Sequence, residues 1–180
     1  MATKLVKPTG SGDSPVGGTF RAWGRFWPEG QVAEQWDDYA AYGSYGYNGA
    51  VGYYWYREND PHMKERAWRT VDVQGRDRIP VYFDGAWPWN GDWSQGHMAP
   101  PEYDAVPTAA GLGAWNSPCI NRHNGGINAV FLDWSVRKVG LKELWTLKWH
   151  RKYETAGPWT KAGGVMTGDW PQWMRKFKEY

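Results

Sequence analysis

His123 and Asp133, with nine residues between them, are the pair in this sequence best suited to proton chemistry. An imidazole oriented by a carboxylate is the usual arrangement of a general base. A hydrolase of that kind also needs a nucleophile. No Ser or Cys sits in a Gly-x-Ser-x-Gly elbow, and Cys119 is the single thiol. The residues therefore point to a structural role: His123 bonds to backbone or to Asp133 and locks a hairpin, with Gly125, Gly126 and Trp134 completing the turn motif. No catalysis is expected.

Two other groups carry chemistry. Asp84, Asn90 and Asp92 lie close together in a Gly-rich stretch, and oxygen ligands on a flexible loop suit calcium. Asp and Asn are also ordinary turn residues, and the spacing matches no recognisable calcium loop. Trp87, Trp89 and Trp93 occupy the same stretch. Exposed, their rings could stack on sugars beside the neighbouring carboxylates and amide, which would make a soluble carbohydrate-binding module. Folded inward or against another subunit, they would hold a Pro- and Gly-rich loop together, because Trp and Tyr favour such contacts. The histidines at 62, 97, 123 and 150 show no metal-ligand spacing. Glu102 and Asp104 add carboxylates, but sequence does not fix the separation that glycosidase chemistry requires.

The elements that must position these residues centre on 121–149. Ile127 to Leu132 is an apolar run that predicts a strand buried on both faces. Asp133, Trp134 and Ser135 supply a turn, and Val136 to Val139 a second, half-exposed strand. Leu141, Leu144, Trp145 and Trp149 then recur at helical spacing, which predicts an amphipathic helix over about 141–152 with Lys142, Lys148, Arg151 and Lys152 on its solvated side. Ile79 to Phe83 reads as a short strand, and Asn48-Gly49 within 43–56 as a hairpin cue. Met63 to Trp68 reads as a helical turn. The C-terminus predicts a small helix with Asp169 as N-cap, Pro171 in its first turn, and Trp170, Trp173, Met174 and Phe177 on one face. Residues 1–18 read as a flexible lead-in and 19–180 as one domain.

Composition narrows the classes further. The net charge is +2 and the charges are interspersed, so no basic block suggests nucleic acid. A lone cysteine makes no intrachain disulfide. No run approaches the ~18 apolar residues of a membrane span. The outlier is 15 Trp and 11 Tyr in 180 residues, which predicts an aromatic, hydrogen-bonded core.

The hairpin also carries a resemblance. His123, nine residues and Asp133, together with Gly-Ser-Tyr-Gly-Tyr-Asn-Gly at 43–49, Ile-Pro-Val-Tyr-Phe-Asp at 79–84, Pro-Pro-Glu-Tyr-Asp at 100–104 and Leu-Trp-Thr-Leu-Lys-Trp-His at 144–150, resembles the His-x9-Asp-Gly family of bacterial prepilin-type, pseudopilin-like proteins. Trp134 stands where that family usually has Gly. The resemblance implies an α+β pilin-like head: a small antiparallel sheet, a hairpin at 127–139 and a following helix, with long aromatic loops. It further implies an extracellular or periplasmic structural subunit of a type II secretion or type IV pilus-like filament. Its partners would be pilin-like subunits, joined through an N-terminal cleavage and methylation helix that this sequence lacks and that would be its only membrane contact. Some related pseudopilins use calcium to stabilise a loop, and no other cofactor is implied.

Overall fold

The computed structural model describes residues 23–24, 42–43, 45–51, 61–86, 89–90, 97–104 and 117–180. Strands β1 (Trp23–Gly24) and β2 (Tyr42–Gly43) form a small antiparallel pair. The main sheet contains β3 (Tyr45–Asn48), β4 (Pro80–Asp84), β5 (Trp89–Asn90), β6 (Gly126–Phe131) and β7 (Val136–Gly140), in the order β5-β3-β4-β6-β7. β3, β4, β6 and β7 are antiparallel, and the two-residue β5 joins β3 in parallel. Among the described residues helix is scarce: α1 (Pro61–Arg66) and three short 3-10 segments at Arg76–Arg78, Lys142–Thr146 and Thr167–Asp169. The architecture is a small, mostly-β domain around four antiparallel strands. No described helix is long and apolar enough to cross a membrane.

The β6–β7 hairpin falls where the turn residues place it, but β6 is buried on one face only. Ile127, Ala129 and Phe131 face the core, whereas Asn128 is exposed and Val130 half-buried. The register pairs Ile127 with Val139 on the core side and Val130 with Val136 on the other. At the hairpin root, Gly126 lies opposite Gly140. A Cβ at Gly126 would stand 2.5 Å from the Val139 carbonyl oxygen, so only glycine lets the strands meet there.

Asn48-Gly49 makes a turn, with the Val51 N–H donating to the Asn48 carbonyl at 3.0 Å, but β3 pairs with the distant β4 instead of a local partner. Asn48 is buried, and its amide donates to the Pro80 carbonyl at 2.9 Å and the Trp149 carbonyl at 2.8 Å. One side chain thereby ties β3 to β4 and to the segment beneath.

The helix expected over 141–152 is only the 3-10 segment Lys142–Thr146. Leu141, Leu144 and Leu147 are buried at every third position, and Leu141, Trp145 and Trp149 at every fourth, so the burial pattern fits both a 3-10 turn and an α-helix. At Leu147 the chain becomes extended (φ −78°, ψ 155°), and the Lys148 N–H donates to the Arg78 carbonyl at 2.9 Å. Of the expected basic face, Arg151 and Lys152 are exposed, but Lys142 and Lys148 are not. Lys142 is buried against Glu179 with its ammonium 5.0 Å over the Trp170 ring. Lys148 donates to the Tyr153 carbonyl at 2.7 Å. The C-terminal helix is replaced by successive turns, Met174 N–H to Pro171, Arg175 to Gln172 and Phe177 to Met174. Asp169 is not an N-cap: it closes the preceding Thr167–Asp169 segment, its carboxylate accepting from the N–H of Met166, which holds the N-cap position, at 2.8 Å.

The core is aromatic and hydrogen-bonded. Trp149 meets Phe83 edge-on at 5.3 Å, and Trp145 meets Trp170 in the same way at 5.3 Å. The Trp145 and Trp149 indoles donate to the carbonyls of Met98 and Leu144, both at 2.8 Å. Trp145 and Trp149 thus remove a large apolar area from water while each indole N–H keeps a partner.

Candidate functional site

His123 stands at a two-residue turn. Asn124 (φ 49°) and Gly125 (φ 83°) both take the left-handed conformation, and the His123 N–H donates to the Gly126 carbonyl at 3.1 Å. Asn-Gly is the sequence that such a tight turn favours. Asn121 braces it from within, accepting the Gly125 N–H at 2.6 Å, while the Asn121 N–H donates to Asp104 at 3.0 Å. The turn thus sets the imidazole beside the start of β6.

The carboxylate that meets it is Asp84, not Asp133. His123 Nε2 lies 2.9 Å from Asp84 Oδ2. A carboxylate can only accept, so Nε2 carries the hydrogen and donates it. The same Oδ2 accepts the Asn128 N–H at 2.7 Å, and Asn128 Nδ2 is 3.0 Å from the ring nitrogen. The regular β4–β6 register ends at Phe83 opposite Ala129. Asp84 continues it with a side chain. Behind it, Arg122 Nη1 lies 3.7 Å from Asp84 Oδ1, with each side chain only 4% exposed. Arg122 Nη2 also donates to the Gly85 carbonyl at 3.2 Å. Burial pulls the guanidinium below its usual range, and the charges of Asp84 and Tyr45 pull it back.

Asp133 is spent elsewhere. Its Oδ1 accepts from the Ser135 N–H at 2.9 Å and the Ser135 hydroxyl at 2.6 Å. The hydroxyl bond, ahead of the backbone bond, holds its carboxyl below the ordinary range. The separation has a geometric cause. His123 precedes β6 and Asp133 follows it, and six strand residues span ~20 Å. The nine-residue spacing therefore places the two groups at opposite ends of the hairpin. Asp84 is a calcium candidate by sequence, but its pairing with His123 depends on β4 lying against β6, which no local pattern announces.

Asp84 is committed to this cluster, Asn90 lies in β5, and Asp92 falls outside the described residues. Among the described residues no group of three His, Cys, Asp or Glu side chains could hold a metal ion. Trp89 stands in β5 opposite Tyr47 of β3, whereas Trp87 and Trp93 lie outside the described residues. Two further groups have shifted titrations. Burial, reinforced by Arg66 and Lys148, pushes the His150 imidazole down to about 3. Burial, reinforced by Asp104, pushes the Cys119 thiol up, leaving it a poor nucleophile.

The arrangement can hold strands in place and can keep a buried ion pair neutral overall. His123 Nε2 is directed at Asp84, and a ring nitrogen that donates there cannot also accept from the Asn128 amide 3.0 Å away. No protein-family model matches the chain, and neither a curated protein nor a solved structure matches it.

Proposed function

We propose that this chain is the pilin-like head of a structural subunit in an extracytoplasmic pilus-like or type II secretion pseudopilus assembly, acting by subunit packing without catalysis. The observation that carries the reading is where the family-like segments lie. Residues 45–48 and 80–84 form β3 and β4, the His123 hairpin forms β6 and β7, and Asn48 joins this sheet to Trp149 of the 144–150 segment. Most of the segments that carry the resemblance thus meet in a single sheet and its core, whereas Pro100–Asp104 forms no strand. The most reactive side chains, Asp84, Arg122 and His123, are consumed in holding that sheet together.

Surface shearing and cross-linking in the native source provide the test. The expected result is recovery of the protein in a high-molecular-weight surface fraction, as a ladder of cross-linked multiples. Recovery as a monodisperse soluble protein that cross-links to nothing would contradict the proposal.

A further inference from the structure

The tip of the β6–β7 hairpin is built in a way that the turn itself does not require. The Trp134 N–H donates to the Phe131 carbonyl at 2.9 Å, and the Phe131 N–H to the Ser135 carbonyl at 2.9 Å. Leu132, Asp133 and Trp134 therefore form a three-residue loop whose last position is left-handed, with Trp134 at φ 67°. Glycine is the residue that fits there without strain, and a bulky side chain at positive φ is an outlier. Burial does not explain the exception, since Trp134 is 73% exposed. Val136, two residues on, is 69% exposed. Asp133, through its two bonds to Ser135, pins the loop so that the ring is displayed from a fixed backbone.

We propose that this tip is a docking contact for a second copy of this chain, with the Trp134 ring as its anchor. Trp is the residue most enriched where interface energy concentrates, and strained positions persist where a function requires them. The surrounding charges identify the partner. Asp133 feels the positive charge of Arg76, and Arg76 and Asp77 are neighbouring exposed residues. A rim with both signs does not suit a polyanion such as nucleic acid or an acidic membrane. It does suit itself: in a two-fold contact the same patch meets its own copy, so Arg76 of each chain can face an acid of the other. The patch is small against the ~800 Å² per partner of a stable complex. The single contact is therefore weak and gains strength when many heads are tethered side by side, a point that rests on the assembly proposed above.

Sedimentation of the purified chain over a concentration series, with circular-dichroism melting alongside, tests the contact. Self-association is expected, weakened about tenfold or more by Trp134→Gly, with a melting midpoint no lower than that of the parent. Arg76→Glu should also weaken it, and Arg76→Glu combined with Asp77→Arg should restore it by exchanging the signs. A monomeric parent at every concentration, unchanged association in Trp134→Gly, or a clearly lowered midpoint would each overturn the proposal. So would Trp134-dependent binding to an insoluble polysaccharide without self-association. The two proposals fail separately. Trp134-dependent association of a protein found soluble in its source would leave this contact and remove the filament. Filaments indifferent to Trp134→Gly would do the reverse.

Discussion

The two ends of the β6–β7 hairpin are made from the same strands and do opposite things. At the root, Gly126 lets the backbones close up, and Asp84, Arg122 and His123 knit β4 to β6. The C-terminal residues clamp the same end, with Phe177 against Gly125 and Tyr180 against Gly140. At the tip, a large ring is held in solvent on a left-handed residue. The root spends polar groups on cohesion, and the tip spends conformational energy on display. Polar residues by themselves are thus a poor guide to a working surface in this molecule. What distinguishes the tip is an apolar side chain kept where both folding and backbone preference disfavour it.

Removing one partner of the buried root pair should have the largest effect. Asp84→Ala leaves the Arg122 charge buried without its carboxylate and strips the Asn128 N–H and the His123 imidazole of their acceptor. A loss of about 3–5 kcal/mol is expected, measured by denaturant unfolding. Asp133→Ala, at the tip, should cost well under half of that.

Acid should come next. His150 is buried and stays neutral until about 3, whereas in the unfolded chain it takes up a proton near the usual histidine value. Below that value the unfolded state binds the extra proton, so stability falls as pH drops. Between neutral pH and about pH 4.5 this group alone should remove about 2–3 kcal/mol. His150→Phe should flatten the slope of stability against pH over that interval.

Gly126→Ala forces a methyl against the Val139 carbonyl and should cost about 1–3 kcal/mol. The smallest effect has the opposite sign. Trp134→Gly relieves ~1–2 kcal/mol of left-handed strain and gives back about 0.4–1 kcal/mol through a freer unfolded chain. A net gain of up to about 1 kcal/mol is expected in the same unfolding measurement.

Much of the sheet was legible in the sequence. The Ile79–Phe83 run and the turn chemistry at 133–135 placed β4, β6 and β7 within about a residue of their ends. The aromatic core followed from composition because rings of that number have few other places to go. The helical turn expected at Met63–Trp68 overlaps α1 (Pro61–Arg66), but the two later helices were not legible, for a physical reason. Spacings of three and four residues are both compatible with Leu141, Leu144 and Trp145, and only the Lys148 bond to Arg78 decides where the turn ends. Of the site, His123 could be found from its motif, while its partner could not. Asp133 was the nearer carboxylate along the sequence, but strand length carries it away. Asp84 arrives only through tertiary pairing of β4 with β6. The left-handed Trp134 was hinted at by the Gly that the resembled family has there, since glycine marks a backbone position of positive φ.

The central claim is that this domain works by packing into an assembly and not by chemistry at His123. Intact-mass and N-terminal analysis of the protein purified from its native source tests it most directly. The account predicts a species heavier than this chain, beginning with a methylated apolar helix able to polymerise. A native product whose mass equals that of these 180 residues would contradict it.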